Sequence, residues 1–510
     1  MSSRVFSEED LQAIAAKGID VVEVSRQLEI FHRGVKPAKL IRPAREGDGI
    51  VQITPDERNI LVSSHNLAAG RGRMLKFVPA SGAASRMFED WCSFYRQGRF
   101  DSAEKSMEFL LNLRKFAFYD DLKNVMALDG QDIGIYIRDK RCAEILEYIL
   151  TSKGLNYGRL PKALVKFHTY PEHSRTALEE HLVEAASYVR DDRNICRIHF
   201  TVSEGHESRF RDLLSSVVGY YQQLYRISYD VAVTTQRPST DTIAVDMENR
   251  PFRDKSGRIL FRPGGHGALL QNLNAIDGDI IFLKNIDNVA TDRLKDTTVL
   301  YKKVLSGYLI RLQDEIFGIL NLLSEKGMDG GQLSRIMLFC EEKLSISFPD
   351  GFRNYSAPAQ EKFIFRKLNR PLRVCGMVKN EGEPGGGPFW VEEDDGTQSL
   401  QIIEQNQIDP NLEEQKALWR SSTYFNPVDL VCGIRNYNGE KFDLNLYANR
   451  DAVFISQKTH EDGELKALEL PGLWNGSMAY WNSAFIEVPL ETFNPVKTID
   501  DLLRKSHLPS

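Results

Sequence analysis

Two segments near the middle of the chain carry residue types that could bind a phosphorylated ligand. Residues 261–270 read Phe-Arg-Pro-Gly-Gly-His-Gly-Ala-Leu-Leu, a glycine-rich turn that runs into a predicted helix. Residues 279–289 form an apolar, strand-like run that ends in Asn-Ile-Asp-Asn. The unpaired N–H groups of a glycine loop can bind an anion, and an aspartate at a strand end can hold a divalent cation beside it. The pair predicts a site for phosphate and metal.

A loop of small residues, 81–86, has a related layout. It follows an apolar run at 74–80 and precedes an amphipathic stretch at 88–96. Small residues let the backbone approach a phosphate closely, and Arg86 could donate two parallel hydrogen bonds to it. The alternative is an ordinary strand–helix turn with a surface arginine.

Other candidate residues are weaker when each is taken alone. Lys162 precedes a predicted strand and Gln236 follows one, but either could be an ordinary surface residue. The histidines at 168, 173 and 181 match no zinc-binding spacing, so we interpret them as solvated or core histidines. The sequence contains no Walker A, G-x-G-x-x-G or G-x-S-x-G motif.

Strand and helix patterns alternate around these motifs. Apolar runs at 74–80, 160–167, 195–202, 229–235 and 279–283 predict strands, and helical spacing follows at 176–189 and 207–225. Alternation of this kind predicts an α/β protein with a mostly parallel central sheet flanked by helices.

The domain plan follows from the same patterns. Residues 1–70 are predicted as a helical N-terminal segment with helices at 7–17 and 22–32, and residues 35–70 as irregular because they are rich in proline and glycine. Residues 71–505 form the predicted core. It carries helical insertions at about 88–158 and 296–368, and a closing helix at 498–505.

Bulk composition narrows the function classes. The chain has 510 residues and a net charge of −6, which does not favour nucleic acid or an anionic membrane as partner. Six scattered cysteines without a C-x-x-C pair are typical of reduced thiols. No signal-peptide pattern or membrane-length apolar run is present, so we predict a cytoplasmic protein. The oligomeric state stays open.

Taken in order along the chain, these segments resemble the UDP-sugar pyrophosphorylase branch of the sugar nucleotidyltransferases. Residues 78–87 are similar to that family's opening loop, L-x-G-G-x-G-S/T-R-L/M, and Pro161-Lys162 to its P-K pair. Residues 263–268 are similar to its P-P-G-H-G-D motif, and 285–288 are its N-I-D-N unchanged. Residues 488–503 resemble its V-P-x-x-R-F-x-P-V-K-T-T-x-D-L-L. The collinear motifs span roughly residues 75–503.

The resemblance implies a GT-A-like, Rossmann-like nucleotidyltransferase core and a reaction between a sugar 1-phosphate and a nucleoside triphosphate, with UTP expected and pyrophosphate released. It implies that the loop Ser81, Gly82, Ala83, Ala84 and Ser85 contacts the triphosphate. Arg86 is implied to bind the leaving pyrophosphate, Lys162 to neutralise the triphosphate, and Lys497 to neutralise the sugar phosphate and the charge at the α-phosphorus. Asp287 is implied to bind Mg²⁺ or Mn²⁺. Gln236 and Gly265 are implied to face the base, and His266, Gly376, Glu392 and Asn426 the sugar.

Departures from the family pattern leave two alternatives open. Ser81 and Ala84 stand where the family has glycine, and Gly264 and Ala268 where it has proline and aspartate. The altered loop motivates a catalytically silent sugar-nucleotide-binding protein as one alternative. A GT-A-type glycosyltransferase is the other; it would release nucleoside diphosphate and would not need the two lysines. We expect a divergent bacterial group described only as a domain of unknown function.

Overall fold

The computed structural model describes residues 6–325, 330–382, 385–393 and 395–509. The chain divides into two compact units. Unit 1 comprises residues 1–65, 236–282 and 304–488, and unit 2 comprises residues 66–235, 283–303 and 489–510. Parts of two predicted segments, residues 1–5 and 326–329, lie outside the described residues.

Unit 2 contains a parallel sheet. Strand Met74–Pro79 pairs with Ile195–Val202, which in turn pairs with Ser228–Thr235 over its whole length. Five of the six residues of Met74–Pro79 are buried, as expected for a parallel strand covered on both faces. A separate antiparallel pair joins Lys166–Thr169 to Ser174–Thr176.

The helices of unit 2 flank this sheet and fill the range predicted as a helical insertion. Before the second sheet strand the chain forms Ala84–Met87, Glu89–Gln97, Ala103–Asn112, Tyr119–Leu128, Ile133–Arg138, Cys142–Leu150 and Ala177–Tyr188. Helix Glu207–Tyr225 connects the last two sheet strands. Thr176 caps helix Ala177–Tyr188 through a reciprocal hydrogen-bond pair with Glu179, which explains why that helix begins where the sequence predicted.

In the described part of unit 1, the strands belong to three sheets. The largest has the order Arg45–Glu46, Gly49–Val51, Asn482–Glu487, Leu372–Lys379 and Asp429–Gly433, with Tyr424–Phe425 pairing beside Leu372–Lys379. Its first three pairings are parallel and the last is antiparallel. The second sheet is antiparallel, with the strand order Leu40–Pro43, Gly387–Glu392, Gln398–Ile403. The third is also antiparallel, with the strand order Phe261–Arg262, Thr242–Val245, Gly463–Glu469, Phe454–His460.

The helices of unit 1 include the two predicted at the N-terminus, Glu8–Ala16 and Val21–Arg33, which bury Ile14, Val24 and Phe31 against strand Thr242–Val245. Ser7 caps the first helix and forms a reciprocal capping box with Asp10. The remaining helices are Leu270–Ala275, Gly330–Leu344, Ala357–Leu368 and Glu413–Arg420.

Three elements cross the division between the units: helix Pro55–Gly70, strand Ile280–Lys284 and helix Asp292–Ser324. In the described part of the chain, no helix has the length and apolar character that a membrane span requires. The mixture of helices and multistranded sheets confirms the predicted α/β class.

Two local predictions were wrong, and a third gave a helix that is too long. Residues 35–70 are not irregular, because they form three short strands and helix Pro55–Gly70. Residues 160–167 do not continue the parallel sheet: Pro161 lacks an N–H, Lys162–Leu164 forms a 3-10 helix, and the strand begins only at Lys166. The closing helix predicted at 498–505 is present but shorter, as the 3-10 helix Ile499–Leu503 that Thr498 caps.

Candidate active site

Four motif segments lie side by side in unit 2: residues 81–86, 160–162, 285–288 and 494–497. The first two are joined by backbone hydrogen bonds. Lys162 N–H donates to Gly82 O at 3.0 Å, and Ala84 N–H donates to Leu160 O at 2.9 Å. Ile286 N–H donates to Pro79 O at 3.1 Å, at the end of the strand that leads into the loop. The chain therefore brings together residues that are up to about 400 positions apart in sequence.

Lys162 links three of these segments through its ammonium group. Its Nζ lies 2.8 Å from Asp287 Oδ2 and donates to Val496 O at 2.8 Å. Val496 N–H in turn donates to Asp287 O at 2.9 Å. Lys162 is only 8% exposed, whereas the Asp287 side chain is 23% exposed. The predicted phosphate-neutralising lysine and the predicted metal ligand are thus direct partners.

The loop at 81–86 retains groups that an anion could use. Among the described residues, the N–H groups of Ser81, Gly82 and Ala83 donate no hydrogen bond to protein. Ala84 is fully buried, so its methyl group, which the family's glycine lacks, points into the protein and not toward the exposed side of the loop. Arg86 and Ser85 are exposed. The loop therefore keeps the donors that phosphate binding requires.

Lys497 follows Val496 and is exposed. Its backbone N–H donates to Asp501 Oδ2 at 2.8 Å, and Asp501 also caps the 3-10 helix Ile499–Leu503. This capping fixes the backbone beneath Lys497 while the side chain stays at the surface.

A buried group of charges adjoins the Asn285–Asn288 turn and was not predicted. Lys284 Nζ lies 2.8 Å from Glu184 Oε2, and Lys76 Nζ lies 3.3 Å from Glu184 Oε1. His181 Nε2–H donates to Ile286 O at 3.2 Å, which confirms the interpretation of His181 as a core histidine. Burial lowers the pKa of Lys76 to about 7, and burial together with Lys76 lowers the pKa of His181.

The predicted metal site rests on Asp287 alone. Among the described residues, the one group of three potential ligands that lie close together is His460, Glu461 and Asp462, on a hairpin of unit 1. A single carboxylate fits Mg²⁺, which takes its other ligands from phosphate and water. Because Lys162 contacts Oδ2, Oδ1 is the oxygen of Asp287 that this structure leaves for a cation.

In unit 1 the predicted base- and sugar-facing residues Gly265 and His266 occupy a sharp turn. Gly265 has φ +72°, and a Cβ there would come within 3.0 Å of Glu469 Oε2, so the position requires glycine. His266 stacks on Trp474 at a centroid distance of 4.1 Å, and its Nδ1 accepts a hydrogen bond from Leu473 N–H at 3.0 Å. Burial lowers the pKa of His266 to about 4, so the ring is neutral at pH 7.

Gly376 and Asn426 are brought together, but Glu392 is not part of their contact. Asn426 Nδ2 donates to Gly376 O at 2.9 Å, and Asn426 Oδ1 accepts from Val428 N–H at 3.0 Å. The buried amide is therefore occupied by protein at both ends. Glu392 lies on another sheet and pairs with Lys39 at 2.5 Å, and both side chains are exposed.

Glu404 is an acidic residue that lies among the predicted unit 1 residues and was not predicted from the sequence. Trp474, the stacking partner of His266, lies near enough to Glu404 to act on the pKa of its carboxyl group. A Cβ on Gly386 would come within 3.4 Å of Glu404 Cγ, and Gly386 O accepts from Asn426 N–H at 2.8 Å. Burial and the nearby Glu469 raise the pKa of Glu404. Glu404 directly follows strand Gln398–Ile403, so the strand-end criterion that found Asp287 could have found it.

Asn475 is a second residue missed from the sequence. It is 2% exposed, and its Oδ1 has no hydrogen-bond partner among the described residues. Both Asn475 Oδ1 and His266 Cε1 lie close to Gly472, within 2.5 and 2.7 Å of where a Cβ would stand. An acceptor without a protein partner, Asn475 Oδ1, therefore lies near the His266–Trp474 stack.

The predicted Gln236 is half-buried and directly follows strand Ser228–Thr235.

The architecture is that of the pyrophosphorylase nucleotidyltransferase-type α/β fold. The chain is similar to the uridine diphosphate N-acetylglucosamine pyrophosphorylase of Trypanosoma brucei with TM-score 0.50 and 13% identity, over 98% of this chain and 79% of that one. At this identity the likeness concerns the fold alone. The chain is also similar to a UDP-glucose phosphorylase from Trypanosoma brucei, with TM-score 0.48 and 14% identity over 97% of this chain and 77% of that one. A mutant UDP-glucose pyrophosphorylase from Leishmania major has TM-score 0.47 and 13% identity over 99% of this chain and 79% of that one.

The sequence profile described as "Domain of unknown function (DUF4301)" matches residues 7–508. The chain belongs to this family. No curated protein sequence matches it.

Proposed function

We propose that the chain is a nucleotidyltransferase that joins a sugar 1-phosphate to a nucleoside triphosphate, with UTP expected, and releases pyrophosphate. The observation that carries the proposal is the contact of Lys162 with both Asp287 and Val496, beside the loop at 81–86. Nucleotidyl transfer requires positioned reactants and neutralised phosphate charge, with little covalent chemistry from the protein. A small-residue loop, two lysines, an arginine and an aspartate match that requirement.

In this proposal an oxygen of the sugar phosphate attacks the α-phosphorus. A new P–O bond forms, the bond from the α-phosphorus to the bridging oxygen breaks, and pyrophosphate leaves. The free N–H groups of Ser81, Gly82 and Ala83 would bind the triphosphate, and Arg86 would bind the departing pyrophosphate. Lys162 would neutralise the triphosphate, and Lys497 the sugar phosphate and the charge that develops at the α-phosphorus.

Mg²⁺ or Mn²⁺ is part of the proposal through Asp287. When bound, the ion would reduce the repulsion between the phosphates and an anionic nucleophile. The chain's own contribution is to hold the Asp287 carboxylate at the end of a buried strand, with Lys162 and Val496 determining its orientation.

The base and sugar roles stay proposals for unit 1. Gln236 and Gly265 would face the base, and His266, Gly376, Glu392 and Asn426 the sugar. Of these, His266 has the geometry best suited to a neutral ligand, because its ring is uncharged and packs flat on Trp474. Glu404 competes with Glu392 for the acidic role, since Glu404 lies beside Trp474 and Gly386.

The test is pyrophosphate release by purified protein with Mg²⁺, across the common nucleoside triphosphates and a panel of sugar 1-phosphates. The proposal expects release that requires one triphosphate together with one sugar phosphate. Release of a nucleoside diphosphate from a nucleotide sugar would instead establish a glycosyltransferase.

The Lys162–Asp287 ion pair also favours a second candidate, a silent sugar-nucleotide-binding protein, because each group is already neutralised by the other. Thermal stabilisation by a nucleotide sugar, with no turnover across the whole panel, would establish that candidate and exclude the enzyme. No turnover and no stabilisation would leave the fold without either function.

A further inference from the structure

A small cavity in unit 2 is lined by aromatic rings and includes none of the candidate active-site residues. Its volume is about 110 Å³, and its aromatic walls are Trp91, Phe94, Phe100, Phe109 and Phe116. One water molecule needs about 10–15 Å³ of such cavity volume, so the cavity has room for a compact group of several heavy atoms. Its remaining walls include the end of helix Ala103–Asn112 and Leu503, in the turn that follows Lys497.

The rings are arranged as walls at different angles. Phe94 and Phe100 have centroids 4.4 Å apart, and Phe100 and Phe109 have centroids 5.2 Å apart. Trp91 stands nearly perpendicular to Phe109, with centroids 5.1 Å apart. Such an arrangement directs both ring faces and ring edges into one small space.

The rim of the cavity is acidic. Asp90, Glu108 and Asp500 all line it, and among the described residues none of the three forms an ion pair. Burial and the charges of Glu108, Asp90 and Asp501 raise the pKa of Asp500. The carboxylates therefore repel one another, and a cation at the cavity would relieve that repulsion.

One ammonium group of the chain already uses an aromatic wall. Lys105 Nζ lies 5.5 Å from the centroid of Phe94 and 3.2 Å from Asp101 Oδ2. Lys105 itself lines the cavity, so one ring face already meets a cation, and the ion pair of Lys105 is with Asp101 and not with the three rim carboxylates.

We propose that this cavity binds the alkylated ammonium group of a small organic cation. Aromatic faces attract a cation electrostatically without hydrogen bonds, and alkylated ammonium groups are the ligands that aromatic cages recognise. The volume fits such a group, and the rim carboxylates supply the opposite charge. Hard inorganic cations are a poor match, because they require several oxygen ligands in place of ring carbons.

The experiment is calorimetric titration of the full chain with tetramethylammonium chloride, beside sodium chloride at equal ionic strength and the neutral tert-butanol. We expect saturable binding of tetramethylammonium alone. Phe94→Leu, which removes one ring face, and Asp500→Asn, which removes one rim charge, should each weaken binding about three- to tenfold. Lys105→Gln should tighten it, because the variant lacks the competing internal cation.

Glu104→Gln is the matched control, since Glu104 is exposed on the same helix as Glu108, one turn earlier, and does not line the cavity. It should bind as the unaltered chain does. If Phe94→Leu does not fold, the test uses the surface variant Asp500→Asn. It also uses Phe94→Tyr, which keeps an aromatic ring and should fold and bind tetramethylammonium as the unaltered chain does. No binding of tetramethylammonium, equal binding of tert-butanol, or unchanged affinity in folded Asp500→Asn would each overturn the proposal.

Discussion

The candidate residues of unit 2 and those of unit 1 are held in place by different kinds of interaction. In unit 2, Lys162 and Asp287 form an ion pair, and the neighbouring strand ends carry a buried group of charges around Glu184. In unit 1, His266 is held by a ring stack and a backbone hydrogen bond. Electrostatics therefore organises the first region, and shape and backbone geometry organise the second.

The difference corresponds to the ligand parts that each region is proposed to meet. Phosphate groups are recognised by charge and by backbone N–H groups, whereas a base or sugar is recognised by stacking and neutral hydrogen bonds. If this comparison is right, charge-removing substitutions in unit 2 should have large effects, and substitutions in unit 1 should have smaller and more selective ones.

The largest effect is expected from Glu184→Gln. Glu184 is buried beside Lys76 and Lys284, and Tyr188 OH also donates to it. Removing its charge leaves the buried ammonium group of Lys284 without its carboxylate, which typically costs about 3–5 kcal/mol. Urea denaturation measures the loss.

Glu144→Gln is the control for that measurement. Glu144 pairs with Arg141 at the surface of the same unit, and exposed pairs contribute about 0–1 kcal/mol. Equal losses in the two variants would contradict the claim that buried charge holds unit 2 together.

Much of the unit 2 region was predictable from sequence because its motifs follow strand ends. Asp287 follows an apolar run, and the loop at 81–86 follows another, so both positions could be read from hydrophobic pattern and small residues. The Lys162–Asp287 contact was not predictable, because no local pattern encodes a pair 125 residues apart. Nor was the buried group around Glu184, since charged residues in a helix are usually solvated.

The second prediction concerns turnover. Asp287→Ala and Lys497→Ala should each lower the rate of pyrophosphate release about 10²–10³-fold, the usual cost of removing one group that stabilises transition-state charge. Lys505→Ala is the control, because Lys505 is exposed in the same C-terminal segment and has no proposed role. Wild-type turnover by a folded Asp287→Ala protein would refute the metal assignment.

The third prediction compares two glutamates of unit 1. Glu404→Gln should raise the KM for the sugar 1-phosphate about 10–100-fold, the equivalent of losing one hydrogen bond to a charged group. Glu392→Gln should change it less than about twofold, because its carboxylate pairs with Lys39 at the surface. The reverse order of effects would restore the role that the family resemblance implied for Glu392.

In unit 1, the sequence predicted the segments of the candidate site better than the individual side chains. Gly265 was predicted through the family resemblance, and the structure adds that its positive φ requires glycine. The choice between Glu392 and Glu404 was not predictable, since both follow alternating runs and only the strand pairing decides which one lies near Trp474. Loose motif matches locate a segment more reliably than they locate a side chain.

The smallest expected effect concerns the pH dependence of stability. Burial lowers the pKa of Lys76 from 10.5 to about 7. Between these pH values the unfolded chain holds a proton that the folded chain has released. Stability should therefore rise with pH from about 7 upward, by at most about 1.4 kcal/mol per pH unit for one proton.

Lys76→Met lacks this proton, so its free energy of unfolding should rise less steeply than that of the unaltered chain between pH 7 and 9. Lys153→Met provides the comparison: Lys153 is a surface residue whose pKa the hydrogen bond to Glu147 raises, so it stays protonated across this window in both states. Urea denaturation at several pH values gives the slopes. Parallel slopes for Lys76→Met and the unaltered chain would mean that Lys76 stays charged when buried, and that Glu184 compensates it fully.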